Sequence, residues 1–339
     1  MTDEIYNENC IEGMRKLPAD SVDAVVTDPP YGLGFMGKDW DHGVPGEQFW
    51  VEAIRVAKPG AHLLAFGGTR TYHRLACAIE DAGWEIRDCL GWLYGSGFPK
   101  SMDVSKAIDK AAGAQREVVG VAGKSGSFRS CMAGNFTGGE YMQTIPATDA
   151  AKQWQGWGTA LKPAWEPIVM ARKPLDGTVA HNVMAYGTGA IDIDACRVGT
   201  EEIKTQGGDK FPGVYGKYKT CEVSQHEGRF PANIIHDGSD EATAPMGEAS
   251  RFFYCAKASK KDRGDGNNHP TVKPQALMQY LIKLVTPEGA VVLDPFLGSG
   301  STAVAAKLLG RHYIGYELSP EYFGMACKRI DAAKRGDTK

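Results

Sequence analysis

Short apolar runs, each broken by proline or glycine and set against a helical repeat, recur at both ends of this chain and fade in its middle. Strands that are apolar throughout need cover on both faces, and helices supply it. The alternation therefore predicts a parallel α/β sheet. Residues 22–27 (Val-Asp-Ala-Val-Val-Thr) read as a buried strand. A helix over 47–57 follows and ends at Pro59-Gly60; then come a strand over 62–66, a helix over 72–82 and a strand over 84–94. The same grammar resumes with a helix over 274–285, a strand over 290–293, a helix over 301–309, a strand over 313–316 and a helix over 320–333. Neither block has enough strands to bury two faces alone, so the two are expected to form one sheet. Residues 112–250 between them are rich in glycine and poor in periodicity, as in an inserted domain or a set of functional loops.

Composition narrows the class further. With 42% hydrophobic and 23% charged residues in 339, the chain is globular, and disorder is excluded. Its longest apolar runs, such as Ala290-Val291-Val292-Leu293, are too short to span a bilayer. The acidic start, Met1-Thr2-Asp3-Glu4-Ile5, does not read as a secretory signal, so the expectation is a cytoplasmic protein without a membrane partner. The eight cysteines form no CxxC pair and no cluster with zinc-ligand spacing; they read as reduced thiols, and no metal is called for. The net charge of -3 divides into -6 for residues 1–100, 0 for 101–260 and +3 for 261–339. A polyanion would be gripped by the middle and the end.

Two motifs sit where an open α/β sheet binds ligands, at the carboxyl ends of strands. The first is Asp28-Pro29-Pro30-Tyr31-Gly32, directly after the strand over 22–27. Carboxylate and proline carbonyl oxygens accept hydrogens from an amine, and a tyrosine ring offers a face to a planar group. The second is Leu293-Asp294-Pro295-Phe296-Leu297-Gly298-Ser299-Gly300-Ser301-Thr302, a strand, a glycine loop and a helix start. Such a turn lets backbone approach a ligand, and the helix N-terminus favours an anionic group. The third glycine of a dinucleotide fingerprint is absent, which disfavours nicotinamide cofactors. Glu317 ends the next strand, 19 positions past Gly298, where an acidic residue commonly takes ribose hydroxyls. A third segment, His269-Pro270-Thr271-Val272-Lys273-Pro274, precedes a helix, and Lys273 is suited to pair with a carboxylate.

Taken together, DPPY, FxGxG and HPTxKP strongly resemble the DNA amino-methyltransferases that use S-adenosylmethionine. Their order, with Asp28–Tyr31 before Phe296–Gly300, resembles the beta group, a circular rearrangement of the Rossmann-like methyltransferase sheet. The resemblance covers about 1–105 and 250–335. Between these, Leu161-Lys162-Pro163-Ala164-Trp165-Glu166-Pro167 and Gly228-Arg229-Phe230-Pro231-Ala232-Asn233 resemble segments of phage- and prophage-borne members. The resemblance implies a catalytic half over 1–110, a target recognition region over 111–250 and a cofactor-binding half over 251–339.

It also implies roles. Asp28, Pro29, Pro30 and Tyr31 would hold a flipped-out base of double-stranded DNA, with its amine against Asp28 and the Pro29 carbonyl. Phe296, Gly298 and Gly300 would wall the cofactor pocket, Glu317 would take the ribose, and Lys273 and Thr302 would lie near the cofactor carboxylate. Asp28, Asp294 and Pro295 would line the same pocket. Asn9 and Cys10 belong to the stretch that meets the adenine, although the family commonly has an acidic residue where Asn9 stands. Lys152-Gln153-Trp154, Trp157 and Tyr215-Gly216-Lys217-Tyr218-Lys219 would face DNA. Many relatives are homodimers, and that too is part of what the resemblance implies. Asp before Pro-Pro-Tyr is typical of adenine-N6 members, so that transfer leads; cytosine-N4 transfer is the alternative. RNA modification, a non-catalytic DNA-binding protein and a nicotinamide oxidoreductase fit the motifs less well.

Overall fold

The computed structural model describes residues 3–33, 43–97, 101–124, 128–130, 134–136, 140–206, 223–256, 262 and 272–334. Residues 1–95 with 165–339 form one compact unit, and 96–164 form another.

Among the described residues, nine strands of the larger unit make one sheet. They are β1 (Glu4–Tyr6), β2 (Val22–Thr27), β3 (Ala57–Phe66), β4 (Glu85–Leu93), β9 (Trp165–Arg172), β12 (Ile234–His236), β13 (Tyr254–Cys255), β14 (Val291–Asp294) and β15 (His312–Tyr316). Their order across the sheet is β1-β15-β14-β2-β3-β9-β4-β12-β13. β9 runs against both neighbours, and the other pairings are parallel. β2 and β14, far apart in the chain, are adjacent, with Ala24 opposite Val292 and Val25 opposite Leu293. The expectation of one α/β sheet from both ends of the chain is met.

Side-chain alternation explains the layers. Ala24, Val26, Leu64, Phe66, Ile168 and Met170 point to one face, against α8 (Gln275–Val285) and α9 (Ser301–Leu308). Val25, Leu63, Ala65, Val169 and Ala171 point to the other, against α1 (Cys10–Lys16), α2 (Glu47–Val56) and α3 (Tyr72–Asp81). Trp50 and Met14, both fully buried, anchor that second layer. α6 (Val179–Tyr186) and α10 (Pro320–Ala332) complete the longer helices of this unit, with the short α7 (Asp240–Thr243). β10 (Val198–Gln206) and β11 (Val223–Arg229) form a separate antiparallel pair.

Two departures from the sequence reading have local causes. β3 begins at Ala57, not at His62, and so contains Pro59-Gly60. Its pairing with β2 jumps from Val22–Ala57 to Ala24–His62, and this bulge absorbs the proline. β9 and β12 lie inside the range 111–250 that the sequence reading gives to target recognition, yet they are strands of the main sheet. Pro167 hides β9 from a sequence reading, because proline is rare within sheets. It is accommodated near the end of β3, where its carbonyl accepts the Gly67 N–H at 2.9 Å.

The smaller unit holds α4 (Val104–Ala111), α5 (Asp149–Gln153) and two antiparallel pairs, β5 (Glu117–Lys124) with β8 (Glu140–Ile145) and β6 (Phe128–Ser130) with β7 (Gly134–Phe136). Arg116 joins its parts through Asp109 at 2.7 Å, and Asp109 also accepts the backbone N–H groups of Ala147 and Thr148. Lys152 pairs with Asp149, and the Trp154 and Trp157 rings meet edge to face at 4.9 Å. Tyr215–Lys219 lie outside the described residues. Among the described residues, no helix is long and apolar enough to cross a membrane.

Candidate active site at the strand ends

β2 stops because Pro29 and Pro30 cannot continue a ladder, and the chain turns at Asp28. One strand over, β14 ends at Asp294, which is 3% exposed. Its Oδ1 accepts Thr27 Oγ1 at 2.6 Å and the Phe296 N–H at 3.1 Å. Burial pushes the Asp294 carboxyl up to about 6, against the pull of Thr27 and Thr302. The Thr27–Asp294 bond thus fastens the two motifs to each other through the residue immediately before Asp28, while Thr302 holds Asp294 from within its own motif.

The loop after β14 approaches β15. Gly298 donates its N–H to Glu317 Oε2 at 2.8 Å, and Ser319 donates to Oε1 at 2.8 Å. Burial raises the Glu317 carboxyl in spite of these bonds. Gly300 is the N-cap of α9 at φ +82°, and a Cβ there would stand 3.1 Å from the Ala326 Cβ, so both conformation and space ask for glycine. Pro295 is buried. Phe296 is partly buried, with Phe49 at 5.5 Å and Trp50 at 6.1 Å between ring centroids. Asn7 Nδ2 donates to the carbonyls of Glu317 and Leu318 at 2.8 and 3.2 Å, which brings the segment before α1 to this edge. The side chains that follow are engaged there: Asn9 caps α1 by accepting the Ile11 N–H, and Cys10 is 7% exposed, its thiol pushed up to about 12 by burial.

Lys273, which the resemblance sets near the cofactor carboxylate, is paired within the protein at the end of β2. It is 6% exposed and bound into a cluster with Asp28, Tyr31 and Glu166. Its Nζ lies 3.1 Å from Asp28 Oδ1, 3.1 Å from Glu166 Oε2 and 3.0 Å from the Tyr31 hydroxyl. The Tyr31 hydroxyl lies 2.8 Å from Asp28 Oδ1 and 2.9 Å from Glu166 Oε1. Tyr31 is held from behind as well, its carbonyl accepting Thr71 Oγ1 at 2.7 Å. Burial, with Asp28 adding to it, raises the Glu166 carboxyl against the pull of Lys273 and Tyr31. Asp28 is the more accessible carboxylate, at 19% against 14% for Glu166. His269, Pro270 and Thr271 of the third motif lie outside the described residues.

Glu166 is the residue that motif reading passed over as a site residue. Its signal is a lone carboxylate at the head of an otherwise apolar strand, in Trp165-Glu166-Pro167-Ile168-Val169. Such a group must find a partner when buried, and only the fold shows which.

Known proteins resemble this chain over most of its length. A family model described as DNA methylase (N6_N4_Mtase) matches residues 22–328. The Type II methyltransferase M.HindIII of Haemophilus influenzae is 26% identical over 98% of this chain and 97% of its own. M.HpaI of Haemophilus parainfluenzae, also a Type II methyltransferase, is 24% identical over 99% and 76%. Among solved structures, PvuII DNA methyltransferase, described as cytosine-N4-specific, has a TM-score of 0.50 at 13% identity, covering 100% of this chain and 89% of that one.

Proposed function

Since the chain belongs to the DNA methylase family, we propose that it transfers a methyl group from S-adenosylmethionine to the N6 amine of an adenine flipped out of double-stranded DNA. The observation that carries this reading is the Thr27–Asp294 bond, which sets the amine-binding turn beside the glycine loop although 267 residues separate them.

The residues at the edge fit the cofactor. Glu317 presents a carboxylate at a strand end beside the Gly298 backbone, a donor and acceptor set suited to ribose hydroxyls. The Phe296 ring keeps part of its surface open beside that loop, which suits the apolar side of the ligand. Phe296, Gly298, Gly300 and Glu317 would hold it, with Pro295 and Asp294 behind them. Asn9 and Cys10 would contribute through the backbone, their side chains being engaged in the cap and the core. When bound, the cofactor supplies an electrophilic methyl on a sulfonium.

The chain's own residues do the rest. An amine conjugated with a base ring is a poor nucleophile, because its lone pair is delocalised. Asp28 Oδ and the Pro29 carbonyl, by accepting the amine hydrogens, draw the nitrogen lone pair out of conjugation and stabilise positive charge developing on nitrogen. Tyr31, pinned at its hydroxyl and at its carbonyl, presents a fixed ring for the base to stack on. Positioning of this kind can supply roughly 7–11 kcal/mol of a barrier.

Asp before Pro-Pro-Tyr favours adenine over cytosine. A cytoplasmic enzyme, a homodimer and a restriction–modification or phage setting belong to the same proposal, as does recognition of the target sequence within 111–250. Nucleoside mass spectrometry of DNA from a methylation-free bacterial host expressing the chain tests it. N6-methyladenine is expected with the wild type and none with Asp28→Ala; N4-methylcytosine would replace the base in the proposal, and full activity of Asp28→Ala would remove Asp28 from it.

A further inference from the structure

The Asp28, Tyr31, Glu166 and Lys273 cluster contains two carboxylates and one ammonium. With all three ionised it carries one negative charge in excess, which one proton would neutralise. The Tyr31 hydroxyl has a single proton and two carboxylate oxygens within reach, at 2.8 and 2.9 Å. It can serve only one of them at a time. Glu166 Oε2 is buried and, among the described residues, has the Lys273 ammonium near it but no aligned hydrogen-bond donor. The groups that face Glu166 are Asp28 and Tyr31 from the end of β2, Lys273 from the segment before α8 and Tyr94 from the end of β4.

We propose that Glu166 is the terminus of a proton path that starts at Asp28 and passes through the Tyr31 hydroxyl. The path rests on the functional reading above. An amine nitrogen that has gained a methyl group holds one proton too many and a positive charge. Its N–H bond breaks, the electron pair stays on nitrogen, and the proton goes to Asp28 Oδ1. Asp28 passes that proton to the Tyr31 oxygen as the Tyr31 hydroxyl proton passes to Glu166. Tyr31 and Asp28 end as they began, Glu166 is neutral, and no electrons leave or enter. Glu166 returns the proton to solvent between turnovers. It touches neither base nor cofactor, so it is a positioning residue that acts through Tyr31.

The test compares wild type, Glu166→Gln, Tyr31→Phe and the double variant in single-turnover methyl transfer to DNA from pH 5.5 to 8.5. The path requires the wild-type rate to fall at acid pH as Glu166 fills with a proton, and that limb to vanish in Glu166→Gln. It also requires about a tenfold loss at pH 7 in each single variant, and no further loss in the double. A Glu166→Gln rate and pH profile equal to wild type overturns it, as do losses that multiply in the double. The second readout uses no cofactor: the carbon-13 carboxyl signal of Glu166, assigned by its disappearance in Glu166→Gln. Titration above the ordinary glutamate range, with a midpoint that Tyr31→Phe moves, supports the path; a midpoint indifferent to Tyr31→Phe overturns it. A wild type that methylates no DNA while this carboxyl titrates as required would sink the functional reading alone.

Discussion

Replacing Lys273 by methionine keeps the unbranched stem and removes the charge. Two partly buried carboxylates, Asp28 and Glu166, then face each other without their cation. Lys273 Nζ lies 3.1 Å from an oxygen of each. At an effective dielectric of about 20, each of those attractions is about 5 kcal/mol before desolvation. Desolvation of the lysine offsets much of it, and removing one partner from such a pair costs about 3–5 kcal/mol. The loss depends on pH, with a definite sign. Glu166 already has a folded-state pKa above its unfolded value, and losing the ammonium raises it further. An acid shifted that way stabilises the fold below its unfolded pKa, and that stability is lost as pH rises through the folded one. Lys273→Met should therefore be worst at pH 8 and recover toward pH 5. Adding Glu166→Gln returns the cluster to one excess negative charge, and about 2 kcal/mol or more should come back. Urea unfolding followed by tryptophan fluorescence at the two pH values measures each difference. A Lys273→Met protein within about 1 kcal/mol of wild type at pH 8 would refute the reasoning. So would a double variant weaker than the single one.

Two further outcomes concern the scaffold. His62 is 4% exposed in β3, and burial, with Arg172 and Arg87 nearby, lowers its pKa from 6.5 to about 4. The unfolded chain takes the proton first as pH falls through this window, so stability should drop between about 6.5 and 4 by as much as ~3 kcal/mol; in His62→Leu, urea unfolding at pH 4.5 and 7 should differ by correspondingly less. Gly13 of α1 has no room for a side chain, since a Cβ would stand 2.1 Å from the Tyr316 ring. Gly13→Ala should lower stability by about 1–3 kcal/mol despite alanine's better helix propensity, and an unchanged urea midpoint would contradict the packing described.

The sequence disclosed the parts of the fold whose local signals agree with their tertiary role. β2, β14 and β15 are short, apolar and ended by turn residues, and α8 to α10 carry clear periodicity and stops. β9 violates its local rule, because Pro167 sits in a strand, and only its position at the end of β3 makes that tolerable. Asp28, Phe296 and Glu317 were legible as strand-end residues in recognisable motifs. Glu166 was not legible as a site residue, because the value of a buried carboxylate lies in its partners, and those come from residues 28, 31 and 273. Lys273 was legible as a residue suited to pair with a carboxylate, but which carboxylates it meets, Asp28 and Glu166, comes only from the fold.

The bond between Thr27 and Asp294 also bears on synthesis. When the ribosome reaches Asp294, β2 has been complete for 267 residues, and through that interval it lacks one of its two neighbours in the sheet. The turn at Asp28 has nothing to lock against until β14 emerges, and contacts so distant in sequence form late and slowly. A nascent or truncated chain therefore has no assembled centre, and the competence to modify anything arrives only with the last strands.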